Sequence, residues 1–238
     1  MLARIWYAAV AGAIAASIVI QVLLLFTGGA DANSGETGDV ADVGTRLVRL
    51  LLFFTIDSNL VVLAVCLLLI ADPCRRGFWW EALRLNALVA ITITGVVYAL
   101  LLAPNIHIDG WALATMIGLH VVSPIGFVTA WLVLGPRRRL RSAMVPAAFV
   151  LPVAWLVVTF VRGALVDWYP YPFLDVTEIG LPASILNASA ILVVAALLAL
   201  LFRALDAILP GLLPGGGEAG EAARPGDRHR PRRSRGRR

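Results

Sequence analysis

The sequence predicts an all-α, polytopic membrane protein: a six-helix transmembrane bundle with both termini on the cytoplasmic side. Three observations carry this. The chain of 238 residues is 60% hydrophobic and 15% charged, with a mean hydropathy of +0.85, whereas soluble domains carry about 25% charged residues. Its apolar residues gather into six runs of roughly the 20 residues that a helix needs to cross a hydrocarbon core of about 30 Å. Its basic residues lie between alternate runs, and because lysine is absent the orientation rests on arginine alone.

The runs are 5–26, 47–71, 85–103, 111–135, 145–165 and 181–205, within one transmembrane domain over 1–208. The first follows Arg4 and, with Ala30-Asp31-Ala32 behind it, imitates a secretory signal and its cleavage site. Its length of about 22 residues exceeds the 7 to 15 of a signal core and predicts a spanning helix instead. Residues 27–46, rich in Gly and acidic side chains (Asp31, Glu36, Asp39, Asp42), read as a flexible, solvated outer loop. Arg75, Arg76 and Arg84 follow the second run, and Arg137, Arg138, Arg139 and Arg141 follow the fourth. Pro124, Pro146 and Pro152 fall inside the fourth and fifth runs and predict kinks there. Trp79 and Trp80, and Trp168, Tyr169 and Tyr171 after the fifth run, read as interfacial anchors. Arg203 closes the sixth.

The opposite segments, 27–46, 104–110 and 166–180, contain only Arg46, with Arg49 and Arg162 just inside the adjoining helix ends. Positively charged loops stay cytoplasmic, which orients both termini. Residues 209–238 turn to Pro and Gly and then to arginine (Arg228, Arg230, Arg232, Arg233, Arg235, Arg237, Arg238), the composition of a disordered cytoplasmic tail. Such a tail attracts anionic headgroups by about 1 kcal/mol per nearby arginine. No folded basic module accompanies it, so no specific nucleic-acid partner is expected. Arginine in place of lysine, with abundant Ala, Val, Leu and Gly, suggests a GC-rich bacterial source and hence a multi-pass protein of the bacterial plasma membrane. Cys66 and Cys74 face a reducing compartment, which disfavours a disulfide. They have no histidine nearby with which to hold zinc, and no metal or cofactor is expected.

Polar residues inside the runs are the candidates for function, because ionisable groups in a bilayer are costly. His120 is nine residues into the fourth run, and Thr55 eight residues into the second, each about 12 to 14 Å from the outer face. Helix axes about 8 to 10 Å apart would let the two side chains hydrogen-bond. Thr55, Ser58 and Asn59 share one face, whereas Asp57 points about 160° away from Thr55 and is expected to pair with Arg162 or Arg49. Met116, His120, Ser123, Phe127 and Trp131 share a face on the fourth run. Chemically, a neutral His120 could take the Thr55 proton as Thr55 attacks an acyl carbon, with Ser58 or Asn59 as oxyanion donor. Structurally, Thr55 could instead bond the Leu51 carbonyl and His120 simply join two helices.

The run Phe53-Phe54-Thr55-Ile56-Asp57-Ser58-Asn59, the lone His120 on the fourth helix, and Trp168 followed by Tyr171-Pro172-Phe173-Leu174-Asp175 resemble the androgen-induced-gene family of six-helix membrane proteins. Over 1–208 the chain is similar to its bacterial branch. Vertebrate members hydrolyse fatty acid esters of hydroxy fatty acids with a threonine and a histidine, so the resemblance implies Thr55 as nucleophile and His120 as base. The arginine-rich tail and the long acidic outer loop depart from the vertebrate pattern. The outer loop with Tyr171 would cap the site, with Asp175 or Glu178 orienting a group below. The expected partners are membrane lipids, among them a lipid ester substrate. Two other classes remain open at this point: a non-catalytic protein that binds lipid or a partner, and a small proton-coupled transporter relaying charge through Asp57, Arg162 and His120.

Overall fold

The computed structural model describes residues 1–37, 41–104 and 106–213. The chain is all-helical, with no strand among the described residues, and six of its helices are long and apolar enough to cross a membrane. The first is α1, Leu2–Thr27. A short α2, Val43–Leu50, precedes α3, Phe54–Ala71. Helix α4, Phe78–Val97, continues into a π-helical turn, Tyr98–Leu102. The fourth crossing joins α5, Gly110–Ile117, to α6, Ser123–Leu134, through a π-helical turn, Gly118–Val122. The fifth joins α7, Met144–Ala148, to α8, Val150–Val166. After a 3-10 turn, Pro172–Leu174, and α9, Val176–Ile179, the sixth is α10, Leu181–Ile208.

Helix α4 is central: it packs against α3, α6, α7 and α10, and 61% of its most apolar window is buried. For the fifth crossing that share is 17%, and only Thr159 and Gly163 of α8 are buried. The fifth crossing therefore starts against α4 through α7 and then stands away from the bundle. Pro152 explains the bend, because it cannot donate to the helical ladder, whereas Pro146 stands in the first turn of α7 and removes no intrahelical bond. Pro152 leaves the Ala148 carbonyl without its usual donor, and Asn86 Nδ2 supplies one at 2.7 Å.

Several expected boundaries move. The run 47–71 is two helices, because Leu51-Leu52-Phe53 turns and Phe53 is extended (φ −72°, ψ 121°). The arginines of α2 explain the break: Arg46 donates to the Leu25 and Gly29 carbonyls, and Arg49 pairs with Glu36 at 3.3 Å. The third crossing begins at Phe78 rather than 85, since Glu81 and Arg84 are buried as an ion pair at 3.1 Å.

The outer loop is packed rather than solvated where it is described. Asp31 accepts from Gln21 Nε2 and from the Asn33 and Ser34 amides, and Ala32 and Asn33 are buried. Burial holds the Asp31 carboxyl above the ordinary range. Asp39 lies outside the described residues. So do residues 214–238, the arginine tail with its expected disorder.

The arginines after the fourth crossing also depart from a solvated loop. Arg137 and Arg139 are buried, and the Arg139 and Leu140 amides donate to the Asp206 carboxylate. Among the aromatic residues expected at the interface, Trp79 is exposed, but Trp80, Tyr169 and Tyr171 are buried. Tyr169 packs on Phe160 and against Gly163, where a Cβ would collide with its ring.

Candidate active site

Thr55 stands in the first turn of α3, directly after the break at Phe53. The first N–H groups of a helix have no intrahelical acceptor, so the break exposes the Thr55 amide as well as its hydroxyl at one spot. His120 sits within the π-helical turn Gly118–Val122, four residues before Pro124. Pro124 cannot donate to the His120 carbonyl, and a π-turn at this point redirects the ladder around the missing bond. Gly95 of α4 packs against this bulge, its ideal Cβ position 3.1 Å from the Pro124 ring and 3.4 Å from the His120 carbonyl. A side chain there would push α4 off the bulge.

Thr55 Oγ1 lies 3.1 Å from His120 Nε2, with both side chains 3% exposed. The tautomer follows from the other ring nitrogen. His120 Nδ1 is 3.2 Å from the Met116 carbonyl, which can only accept, so Nδ1 carries the proton in the neutral ring. Nε2 then presents a lone pair and the Thr55 hydroxyl donates to it. The ring of Tyr98, from the π-helical turn Tyr98–Leu102, covers the imidazole at a centroid distance of 4.3 Å and 32° between planes. The two irregular turns thus meet at His120.

Tyr171 completes the group from the loop after α8. The Thr55 amide donates to its Oη at 3.3 Å, and Oη lies 3.4 Å from Thr55 Oγ1. With the threonine proton given to His120, the tyrosine O–H is the donor in that second contact. Phe53, Trp155 and Phe173 enclose the Tyr171 ring. Burial pushes the phenol up from 10.0 to about 12, which keeps it protonated at neutral pH.

The remaining candidates divide. Ser58 is bonded to the Thr55 carbonyl and to Thr94, and Asn59 donates to the Thr55 and Leu119 carbonyls. Their hydrogens hold the first turn of α3, whereas the Tyr171 hydroxyl is the donor within reach of Thr55 Oγ1. The Thr55 hydroxyl makes no bond to Leu51, which lies in the turn before the helix.

Asp57 is half-buried and forms no hydrogen bond or ion pair with Arg162, Arg49 or His120 among the described residues, so no charge relay is assembled. Arg49 and Arg162 lie over the Trp168 ring at 4.9 and 5.6 Å. Asp175 caps α9 by accepting from the Thr177 amide and hydroxyl, and orients nothing at Thr55. Tyr98 and Thr94 entered the site without a sequence signal beyond being polar. Pro124, four residues after His120, was the available sign of the bulge.

Three cavities flank this group, and the one that His120 lines, about 420 Å³, lies between α4 and the fourth crossing beside Gly95 and Pro124. A narrow apolar cleft of about 70 Å³ has Thr55, Thr94 and Tyr171 as its polar lining and otherwise runs between α4, α8 and α10. A larger outer cavity of about 780 Å³ is lined by Asn33, Glu36, Trp168, Asp175 and Glu178, with Tyr171 and Phe173 as the wall shared with the cleft. No family model, curated protein or solved structure matches the chain.

Proposed function

We propose that the chain is an intramembrane hydrolase of lipid esters in which Thr55 is the nucleophile and His120 the base. One observation carries the reading: a threonine hydroxyl aimed at an unprotonated imidazole nitrogen whose partner nitrogen is fixed by a carbonyl, at the head of an apolar cleft. Threonine alone is a weak nucleophile and needs an adjacent base. In the reaction His120 Nε2 takes the Thr55 proton as Oγ1 bonds to the ester carbon. Tyr171 Oη and the Thr55 amide turn to the developing oxyanion. The C–O bond to the alcohol breaks, and the alcohol leaves with the proton from His120. Water then attacks the acyl-threonine, gives its proton to His120, and the acid leaves as that proton returns to Oγ1.

The Met116 carbonyl takes the part that a carboxylate plays in serine-hydrolase triads, orienting the ring and fixing its tautomer. The resemblance to the androgen-induced-gene family supports the same roles. Six apolar helices and the arginine bias support a multi-pass protein of the bacterial plasma membrane with both termini cytoplasmic. The test is fluorophosphonate labelling and ester turnover by the purified protein. Wild type should label and turn over, and Thr55→Ala and His120→Ala should do neither. Undiminished labelling in both variants, each still folded, overturns the assignment. A protein that binds lipid without catalysis would show no labelling at Thr55.

A further inference from the structure

Resting on that reading, we propose that the cleft beside Thr55 is the acyl-chain site and that its floor, around Val89, Pro152 and Ala195, limits the length of the chain. Thr55 lines the cleft and does not line the outer cavity, so the ester carbon reaches Oγ1 from the apolar side. The walls are built at helical spacing. Ala90, Thr94 and Val97 recur along one face of α4, and Ala188, Ile191 and Ala195 along one face of α10. From Val97 to Val89 the helix descends about 12 Å, and from Ala188 to Ala195 about 10 Å, at 1.5 Å per residue.

The upper end of this span is level with the site. Thr94 bonds Ser58, one turn below Thr55, and Tyr98 stacks on His120. The cleft therefore runs from Thr55 toward the opposite end of the bundle, parallel to the helices. Alanines at three lining positions, Ala90, Ala188 and Ala195, leave space where a larger residue would narrow the cleft. The third wall exists because the fifth crossing breaks at Phe149 and bends at Pro152, separating α8 from α4. An acyl chain is the occupant that fits both facts, an apolar lining and a nucleophile at the mouth. The alcohol part is left to the outer cavity beyond Tyr171 and Phe173.

The experiment compares p-nitrophenyl butyrate, octanoate and palmitate as substrates of the full chain in nanodiscs. In wild type kcat/KM should rise from butyrate to octanoate, by up to about fourfold per buried methylene, and gain nothing further at palmitate. Ala195→Phe, which fills the floor, should lower kcat/KM on octanoate at least about tenfold more than on butyrate. Ala195→Val, a smaller block, should shift the same way if the larger variant does not fold. A uniform effect on all three esters in both variants overturns the proposal while leaving Thr55 and His120 in place.

Photolabelling with a diazirine fatty acid gives a reading independent of turnover. Label at Ala90, Ile191 or Ala195, displaced by octanoate, supports the chain site even if no ester is hydrolysed, in which case the catalytic reading alone fails. Label confined to the outward residues Leu186 and Leu197 overturns the chain site.

Discussion

Two groups of buried polar side chains lie at opposite ends of the bundle and are built on different principles. At the arginine-rich end, Glu81, Arg84, Arg137, Arg139 and Asp206 are charged, and their partners are one another and the backbone. Arg84 donates to Glu81 and to the Gly135 and Pro136 carbonyls, Arg137 to the Leu132 and Pro210 carbonyls, and Arg139 to those of Cys74 and Arg75. Those carbonyls belong to the ends of helices and the loops between them, so the group clamps four chain segments. At the other end Thr55, Tyr171 and His120 are neutral and few, and Thr55 and Tyr171 line a cleft. Burial of polar groups is common to both ends. What separates the two groups is a hydroxyl that donates to an imidazole lone pair, next to space.

Exchanging the roles by mutation should break that comparison in opposite ways. Thr55→Ala removes one hydroxyl from a packed site, and the expected loss is up to about six orders of magnitude in ester turnover, as for nucleophile removal in related chemistry, with a stability loss of about 1 to 3 kcal/mol because His120 Nε2 is left without its donor. Turnover within tenfold of wild type would remove Thr55 from the reaction. Arg84→Ala should do the reverse. It leaves Glu81 buried at 3% exposure without its closest partner, a change that costs about 3 to 5 kcal/mol for buried pairs. Reversible unfolding in detergent measures it, and the turnover per folded molecule should stay near that of wild type. Full stability in Arg84→Ala would mean that the clamp carries little of the fold.

The two ends were unequally legible in the sequence. Six crossings follow from hydropathy, which averages over about 20 residues and so misses features of two or three. The turn at Leu51-Leu52-Phe53 is wholly apolar, with no Gly or Pro, and only Arg46 and Arg49 hinted that the run could not be one helix. A helix that starts at 47 puts Thr55 level with His120. The two side chains do meet, but Thr55 is in the first turn of a helix that starts at Phe54. Tyr171 is 116 residues from Thr55, and its place depends on a loop folding back over α3, which no local pattern encodes. The clamp was read as a set of loop charges because charge in sequence gives the sign and not the partner.

Tyr171→Phe sharpens the comparison inside the site itself. Loss of one oxyanion donor costs about 10²- to 10³-fold in kcat in other hydrolases, and KM should change little, because the ground-state ester needs that bond least. The phenol also gives a sign for pH. Its folded pKa of about 12 lies above the ordinary 10.0. The protonated form is favoured in the fold, so its contribution is complete below about pH 10 and is lost as pH rises through 12. Wild type should lose both stability and kcat across that window by more than Tyr171→Phe does. Identical alkaline limbs in the two proteins, together with an unchanged kcat, would take Tyr171 out of the mechanism.

The smallest expected effect joins the clamp's logic to the cleft. Asn86→Ala leaves the Ala148 carbonyl, already deprived of a donor by Pro152, with no partner in a buried place, and an unsatisfied buried acceptor costs about 1 to 3 kcal/mol. That loss alone would be a clamp phenotype. But Asn86 ties α4 to the fifth crossing just before the bend that opens the cleft, so freeing Ala148 should also let α8 shift relative to Ala90 and Ala195. A stability loss accompanied by a changed ratio of octanoate to butyrate turnover shows that the bend sets the width of the cleft. A stability loss with the ratio unchanged shows that Pro152 and the helix contacts hold the bend without Asn86, and the polar bond then serves only to satisfy the carbonyl.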